Sequence, residues 1–259
     1  MPSQHVEFPG SQGKTLIGRL DLPDGPIRGY VVYAHCFTCS KDGLAAYHIG
    51  KALSRAGLAL LRFDFSGLGD SQGHFADVTF SDWVDDLVAA ASWLRDQHGP
   101  PSLMLGHSLG GAIAIAAASR IPDARAIATI GAPFEPVAVV RQFGNQVDTI
   151  RTQGMAQVTL AGRNFTIRKT LLDDLEIQRP IESIRELRRP LLILHSPADD
   201  TVPIEQAGKI FQTALHPKSF VSLDQADHLL TRPADAQWVA SMIRAWVEPY
   251  LDPLTESES

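Results

Sequence analysis

The sequence predicts an α/β fold, in which a mostly parallel central sheet is flanked by helices, led by an antiparallel hairpin and interrupted by a small lid insertion. Three observations predict it. From Val31 onward, the short apolar runs are mostly continuous rather than alternating, as expected of strands covered on both faces. Amphipathic helical stretches lie between them, and strand–helix–strand repetition implies right-handed crossovers between parallel strands. The first two strand-like runs alternate more clearly and are separated by Gly10-Ser-Gln-Gly13, which reads as a hairpin.

In chain order, the strands are expected at His5 to Phe8, Thr15 to Leu22, Gly29 to His35, Leu58 to Asp64, Ser102 to His107, Ala126 to Ala132, Leu191 to Ser196 and Lys218 to Leu223. Helices are expected at Gly43 to Arg55, Ser81 to Gln97, Leu109 to Ser119, Glu205 to Ala214 and Ala234 to Val247. The rhythm breaks from Pro133 to Arg189, where no clean buried strand occurs. Helical pieces near Val137 to Gln142 and Thr170 to Ile177 flank a hairpin made of Gln157 to Leu160 and Asn164 to Arg168. This segment, about 134–188, is either a surface excursion packed on itself or a lid. The lid is favoured, because insertions at the carboxyl ends of sheet strands build ligand pockets. The rest of 1–250 reads as one domain, and the acidic, apolar-poor tail 251–259 as frayed.

Composition narrows the class. The 259 residues, 44% hydrophobic and 20% charged, suit an ordinary soluble globular protein. A net charge of −6 gives no pointer to nucleic acid or an anionic membrane as a partner. No apolar run reaches membrane-spanning length, and Met1 to Phe8 lacks the basic and apolar regions of a signal peptide, so a cytoplasmic location is the expectation. Cys36 and Cys39 are spaced as C-x-x-C. A redox pair would need this spacing at a helix N-terminus in a thioredoxin-like setting, and a cytosolic location disfavours a structural disulfide, so two reduced, partly buried thiols are expected rather than a functional dithiol.

The chemistry centres on Gly106-His-Ser108-Leu-Gly110. An apolar strand precedes it and an Ala-rich helix follows, so a single serine sits at the apex of a tight strand-to-helix turn. Placed there, a hydroxyl is exposed to substrate, within reach of a base and next to the positive end of a helix. A serine N-cap on an ordinary turn would explain the serine but not the glycines around it. The base and its orienting acid lie downstream. Asp199 follows strand Leu191 to Leu194, and His228 follows strand Lys218 to Leu223. The order Ser, Asp, His matches one known triad arrangement and excludes the two protease orders. Asp200 competes with Asp199 but more naturally caps the following turn, and Asp227 reads as a loop-shaping carboxylate. The oxyanion donors are expected to be backbone N–H groups, those of Leu109 and of Phe37 or Cys36, with Phe37 preferred.

Together these residues resemble the α/β-hydrolase superfamily over nearly the whole chain. The resemblance rests on His35-Cys-Phe37, Asp64-Phe-Ser-Gly67-Leu-Gly69-Asp-Ser71, Gly106 to Gly110, His195 to Pro203 and Ala226-Asp-His228. More narrowly, Ala34 to Asp42 and Phe220 to Leu230 look like bacterial hydrolase domains often fused to an OsmC-type domain. The usual pattern has glycine where this chain has Cys36. The resemblance implies hydrolysis of carboxylic esters of small to medium acyl groups, without a cofactor or metal. Thioesterase, peptidase and cofactor-free haloperoxidase activities share the same triad.

Within the lid, Phe134, Phe143, Met155 and Phe165 are candidate substrate contacts or the segment's own small core. Two rival classes remain. A metallohydrolase could use His35, His107 and His195, each at a strand end, with Asp64 or Asp199. A non-catalytic binding protein could carry an idle triad. Gly67-Leu-Gly69 invites a phosphate-loop reading but lacks the third glycine and the helix start, so a plain turn accounts for it.

Overall fold

The computed structural model describes residues 2–251. Of the tail expected to fray, 252–259 lie outside the described residues, whereas Leu251 is buried. The described residues hold ten strands: β1 Ser3–Pro9, β2 Thr15–Asp21, β3 Gly29–Ala34, β4 Leu58–Phe63, β5 Pro101–His107, β6 Ala126–Ile130, β7 Met155–Leu160, β8 Arg163–Arg168, β9 Leu191–His195 and β10 Lys218–Ser222. The helices are α1 Leu44–Arg55, α2 Phe80–Gln97, α3 Leu109–Ala117, α4 Gln146–Gln153, α5 Lys169–Glu176, α6 Pro180–Arg185, α7 Glu205–Thr213 and α8 Pro233–Val247.

Eight strands form one sheet in the order β1-β2-β4-β3-β5-β6-β9-β10, and β7 pairs only with β8. The β1–β2 and β2–β4 pairs are antiparallel and every other pair in the main sheet is parallel. This is the α/β-hydrolase fold with the antiparallel N-terminal hairpin that the alternation of β1 and β2 predicts.

The two-residue period of the strands divides the core. On β3 and β5, Val31, Tyr33, Leu103 and Leu105 join one apolar cluster with α1 and α8, whose Ile49, Leu53, Val239 and Ile243 are fully buried. Val32, Ala34 and Met104 join the cluster on the opposite face, with Trp83 and Leu87 of α2 and Ile113 of α3. Each such Leu, Ile or Val contributes about 1.5–3 kcal/mol by leaving water. Helix α2 starts one residue earlier than Ser81, because Thr79 and Asp82 form a reciprocal capping box: the Asp82 amide donates to Thr79 Oγ1 (3.2 Å) and the Thr79 amide to Asp82 Oδ2 (2.8 Å).

From β3 the chain moves outward to β4, then returns across β3 to β5. The sheet therefore reverses its direction of growth between β3 and β5, and the crevice beyond their carboxyl ends is the standard place for a ligand in an open parallel sheet. The strands end level there: Ala34 pairs with Gly106, His107 with Ile130, Ile130 with Leu194 and His195 with Ser222. The loops that follow the six parallel strands converge on that edge.

One of them is braced by buried charge. Lys41 Nζ lies 2.8 Å from Asp64 and 2.5 Å from Asp70, and Arg62 lies 2.7 Å from Asp21 and 3.0 Å from Asp42. The Asp64 carboxylate also accepts the Lys41 and Asp70 amides, so the loop after β3 is tied to the loop after β4. Gly69 belongs to this brace. Its φ is +51° and a Cβ there would lie 2.1 Å from Asp64, so the Gly67-Leu-Gly69 stretch is a turn wrapped around a carboxylate. Lys41→Met would leave Asp64 buried without its cation. Destabilisation by about 3–5 kcal/mol is expected in a denaturant titration, and a change below 1 kcal/mol would show the brace to be idle.

Between β6 and β9, the Pro136–Phe143 piece is a tight 3-10 helix and α5 covers the second expected helical piece. Two helices there went unpredicted, α4 and α6. Each buries a single residue, Ile150 and Ile184 respectively, so neither carries an apolar period to be read.

Candidate active site

Ser108 connects β5 to α3 with φ +54° and ψ −126°, a conformation that costs a side-chain-bearing residue about 1–3 kcal/mol. The flanking glycines make the turn possible. A Cβ on Gly106 would lie 2.3 Å from the Gly110 carbonyl oxygen, and one on Gly110 would lie 2.2 Å from that of Ala34. The Ser108 amide donates to the Ile130 carbonyl (2.8 Å), which continues the sheet ladder and fixes the apex against β6.

The three residues read as nucleophile, base and acid come together. Ser108 Oγ lies 2.9 Å from His228 Nε2, and His228 Nδ1 lies 2.7 Å from Asp199 Oδ2. Because a carboxylate only accepts, Nδ1 carries the hydrogen and Nε2 is left to accept from the serine hydroxyl. The second carboxylate oxygen of Asp199 accepts the amides of Thr201 (2.9 Å) and Val202 (2.8 Å). Burial pushes this carboxyl up, but donation from His228 and those two amides outweighs it and holds the group below its ordinary range. The competing aspartates go elsewhere. Asp200 is exposed and accepts from Thr201 Oγ1 (3.1 Å), while Asp227 accepts the Thr231 amide (3.0 Å) and hydroxyl and so shapes its own loop.

Beside the serine lies a cleft of about 470 Å³. Leu109, Pro133, Ala138, Val139, Val202 and Pro203 give it an apolar lining, and Arg141, Gln142, Thr201 and Gln206 are its polar members. The amides of Phe37 and Leu109 donate to no acceptor among the described residues, and both residues line one small hollow at the head of α3. Leu109 is the first residue of that helix, where an amide has no intrahelical partner.

Comparison with known proteins bears on what such an arrangement is. Residues 25–245 match the serine aminopeptidase S33 family, Hydrolase_4. The chain belongs to that family. A solved structure, the esterase domain of a Rhodothermus marinus protein, is 45% identical, covers 96% of this chain and 99% of its own length, and superposes with a TM-score of 0.79. Mouse palmitoyl-protein thioesterase ABHD10, mitochondrial, is 27% identical over 213 residues, 79% of this chain and 70% of the relative. Est1E from Butyrivibrio proteoclasticus with ferulic acid bound, 19% identical, shares the fold with a TM-score of 0.83 over 95% of this chain and 99% of its own. These matches support the superfamily and do not extend to the narrower resemblance to OsmC-fused hydrolases.

Within this hydrolase, two expectations need correction. The four lid residues do not line the cleft beside Ser108. Phe143 is buried 6.1 Å from the ring of Phe37, Phe165 packs 4.7 Å from Phe75, Phe134 lines a separate hollow with Pro180 and Ile184, and Met155 is 51% exposed. The three phenylalanines pack the insertion onto the body of the fold, and Met155 faces solvent. Only the first part of the insertion reaches the cleft, which Pro133 and the 3-10 helix wall, whereas the β7–β8 hairpin packs on the Phe75 region. The cysteines, expected as reduced thiols, form a Cys36–Cys39 disulfide, with Cα atoms 5.2 Å apart in a tight turn that brings the sulfurs together.

One residue missed from sequence lies at a strand end. Gly131, with φ +55°, passes beneath the triad, where a Cβ would lie 3.2 Å from Asp199 Oδ2 and 3.4 Å from His228 Nδ1. Its signal was a glycine directly after the buried run Ala126 to Ile130.

The three strand-end histidines do not converge. Each donates to a carbonyl of its own: His35 Nδ1 to Cys36 (2.8 Å), His107 Nε2 to His228 (2.7 Å) and His195 Nε2 to Val202 (2.7 Å). Among the described residues, no three metal-ligating side chains meet. Burial lowers the basicity of all three, taking His107 from 6.5 to about 4, with the neighbouring His228 lowering it further. Between those values the unfolded chain protonates this imidazole and the folded chain does not. Its stabilising contribution is therefore complete above pH 6.5 and is lost as pH falls toward 4. The melting temperature is expected to drop by several degrees between pH 7 and pH 5, and a flat profile would contradict the burial of these rings as neutral groups.

Proposed function

We propose that this protein is a serine esterase that cleaves carboxylic esters of small to medium acyl groups through an acyl-enzyme. The observation that carries the reading is the hydrogen-bonded series Ser108–His228–Asp199 at the mouth of an apolar cleft. His228 Nε2 takes the hydroxyl proton as Ser108 Oγ attacks the ester carbonyl. Charge developing on the carbonyl oxygen is met by the Phe37 and Leu109 amides, which have no other acceptor among the described residues. His228 then hands its proton to the departing alcohol, and a water activated by the same nitrogen releases the acid and restores Ser108. Asp199 keeps the ring oriented throughout and holds the hydrogen on Nδ1.

The esterase domain at 45% identity supports ester chemistry for this chain, and the apolar lining of the cleft suits an aliphatic acyl group. A thioesterase is the second reading, favoured by the thioesterase relative. One experiment separates the two: p-nitrophenyl esters of rising acyl length, run beside aryl esters and acyl thioesters of matched chain. Esters of short to medium chain are expected to give the higher kcat/KM. Preference for long-chain thioesters by tenfold or more would replace the first reading with the second.

A further inference from the structure

The Cys36–Cys39 disulfide encloses Phe37, whose amide is one of the two groups assigned to the oxyanion in the proposed reaction. The turn is tight: the Cys39 amide donates to the Cys36 carbonyl (3.1 Å), and Thr38 inside it has φ +61°. His35 Nδ1 donates to the same Cys36 carbonyl, and Arg163 of β8 donates to the Thr38 carbonyl. The direction of the Phe37 amide is thus set by a covalently closed loop of four residues. The bond is also reachable. A second cavity of about 540 Å³, separate from the cleft beside Ser108, is lined by both cysteines. Its walls include Tyr33, Leu44 and Leu229, of which Leu44 and Leu229 are 60% and 47% exposed. Cys36 is buried, while Cys39 is half-buried.

We propose that this pair is a thiol–disulfide exchange site, approached through the second cavity, that takes a dithiol reductant and sets the turnover of the hydrolase. A thiolate of the dithiol attacks the more accessible Cys39 Sγ, the S–S bond breaks, and its electron pair leaves on Cys36 Sγ, which takes a proton. The second thiol of the reductant then attacks the mixed disulfide and frees Cys39 Sγ, which is protonated in turn. Two electrons pass to the protein, and the dithiol becomes a cyclic disulfide. With the four-residue loop open, Thr38 relaxes from its left-handed conformation and the Phe37 amide leaves its direction. Loss of a complete oxyanion donor costs about 100- to 1000-fold in turnover. The Phe37 ring stays anchored against Phe75, Trp83 and Phe143, so a smaller loss, of about 10-fold or more in kcat with KM within twofold, is expected on reduction.

The inference rests on the proposed function, and the test keeps the two apart. The air-oxidised protein is treated with dithiothreitol under native conditions, freed of it by gel filtration under argon, and divided. One part is alkylated with iodoacetamide for intact mass and the other is assayed on p-nitrophenyl acetate beside Ser108→Ala. Two alkylated thiols, a 10-fold fall in kcat and recovery on reoxidation are expected. The double variant Cys36→Ser with Cys39→Ser should show the low kcat with or without dithiol. Absence of alkylation under native conditions, or two alkylated thiols with unchanged kcat, overturns the inference while an inactive Ser108→Ala leaves the esterase reading standing. An active Ser108→Ala overturns the esterase reading itself.

Discussion

Ser108→Ala is expected to lower kcat on p-nitrophenyl acetate by about 10⁶-fold, the size of loss measured when the nucleophile of a preorganised triad is removed. The geometry explains why the loss is so large. His228 Nε2, 2.9 Å from Oγ, is aligned to take one proton from one oxygen, and with the hydroxyl gone it has nothing to activate at that position. What remains, the Phe37 and Leu109 amides and the cleft, still binds ester and polarises its carbonyl, so catalysis about 10³- to 10⁴-fold above water should persist. The fold should be untouched, since the Oγ makes its side-chain hydrogen bond to His228 alone and the turn's conformation is fixed by its glycines and the Ile130 carbonyl. A melting temperature close to the wild type's would accompany the lost activity. Hydrolysis at the wild-type rate by a folded Ser108→Ala protein would end the proposed mechanism.

Asp199→Asn is expected to cost about 10⁴-fold in kcat with little change in KM. Asp199 Oδ2 accepts from His228 Nδ1 at 2.7 Å, while Oδ1 is held by the Thr201 and Val202 amides. In the asparagine variant the side-chain oxygen remains with those two amides, and the NH₂ group turns toward His228. An NH₂ group can only donate, so Nδ1 must give up its hydrogen and Nε2 must carry it. The imidazole then faces Ser108 as a donor and cannot take its proton. The low-lying carboxyl of Asp199 adds to the case: its stabilising charge is present above the ordinary carboxylate range and is lost only as pH falls through its depressed value, so at neutral pH it is fully ionised. Asp200→Asn is the matched control. Its carboxylate is exposed and touches only its neighbour Thr201, and kcat within twofold of wild type is expected. Equal losses from the two substitutions would mean that position 199 does not orient the base.

Much of this architecture was legible in the residues because its causes are local. Continuous apolar runs such as Leu58 to Leu61 read as strands covered on both faces, and the alternation of Thr15 to Asp21 marks a strand beside solvent. Gly106 to Gly110 was legible for a similar reason, since a serine between glycines at a strand-to-helix junction reports a backbone that no other residues allow. His228 and Asp199 followed once each was seen to trail a buried strand, because parallel strands deliver their carboxyl ends to one edge.

What escaped has causes that are not local. Phe134, Phe143, Met155 and Phe165 are apolar whether they meet substrate or each other, and only the path of the chain from Pro133 to Arg189 decides. The cleft takes Ala138, Val139, Arg141 and Gln142 of the 3-10 helix instead. The one-residue error in the start of α2 is the local exception, set by the reciprocal Thr79–Asp82 bonds. The state of Cys36 and Cys39 was not readable from spacing, since C-x-x-C serves thiols, metals and disulfides alike, and pairing depended on the turn that folding gives residues 36–39.

Intact-mass and peptide-mapping spectrometry of the protein after reaction with an organophosphonate or sulfonyl fluoride reaches the heart of the matter. A single adduct on the Ser108 peptide is expected, formed rapidly by the wild-type protein and at least 1000-fold more slowly by Asp199→Asn. A protein that stays unlabelled, or one labelled at another residue with Ser108 unmodified, would contradict the assignment of Ser108 as the activated nucleophile.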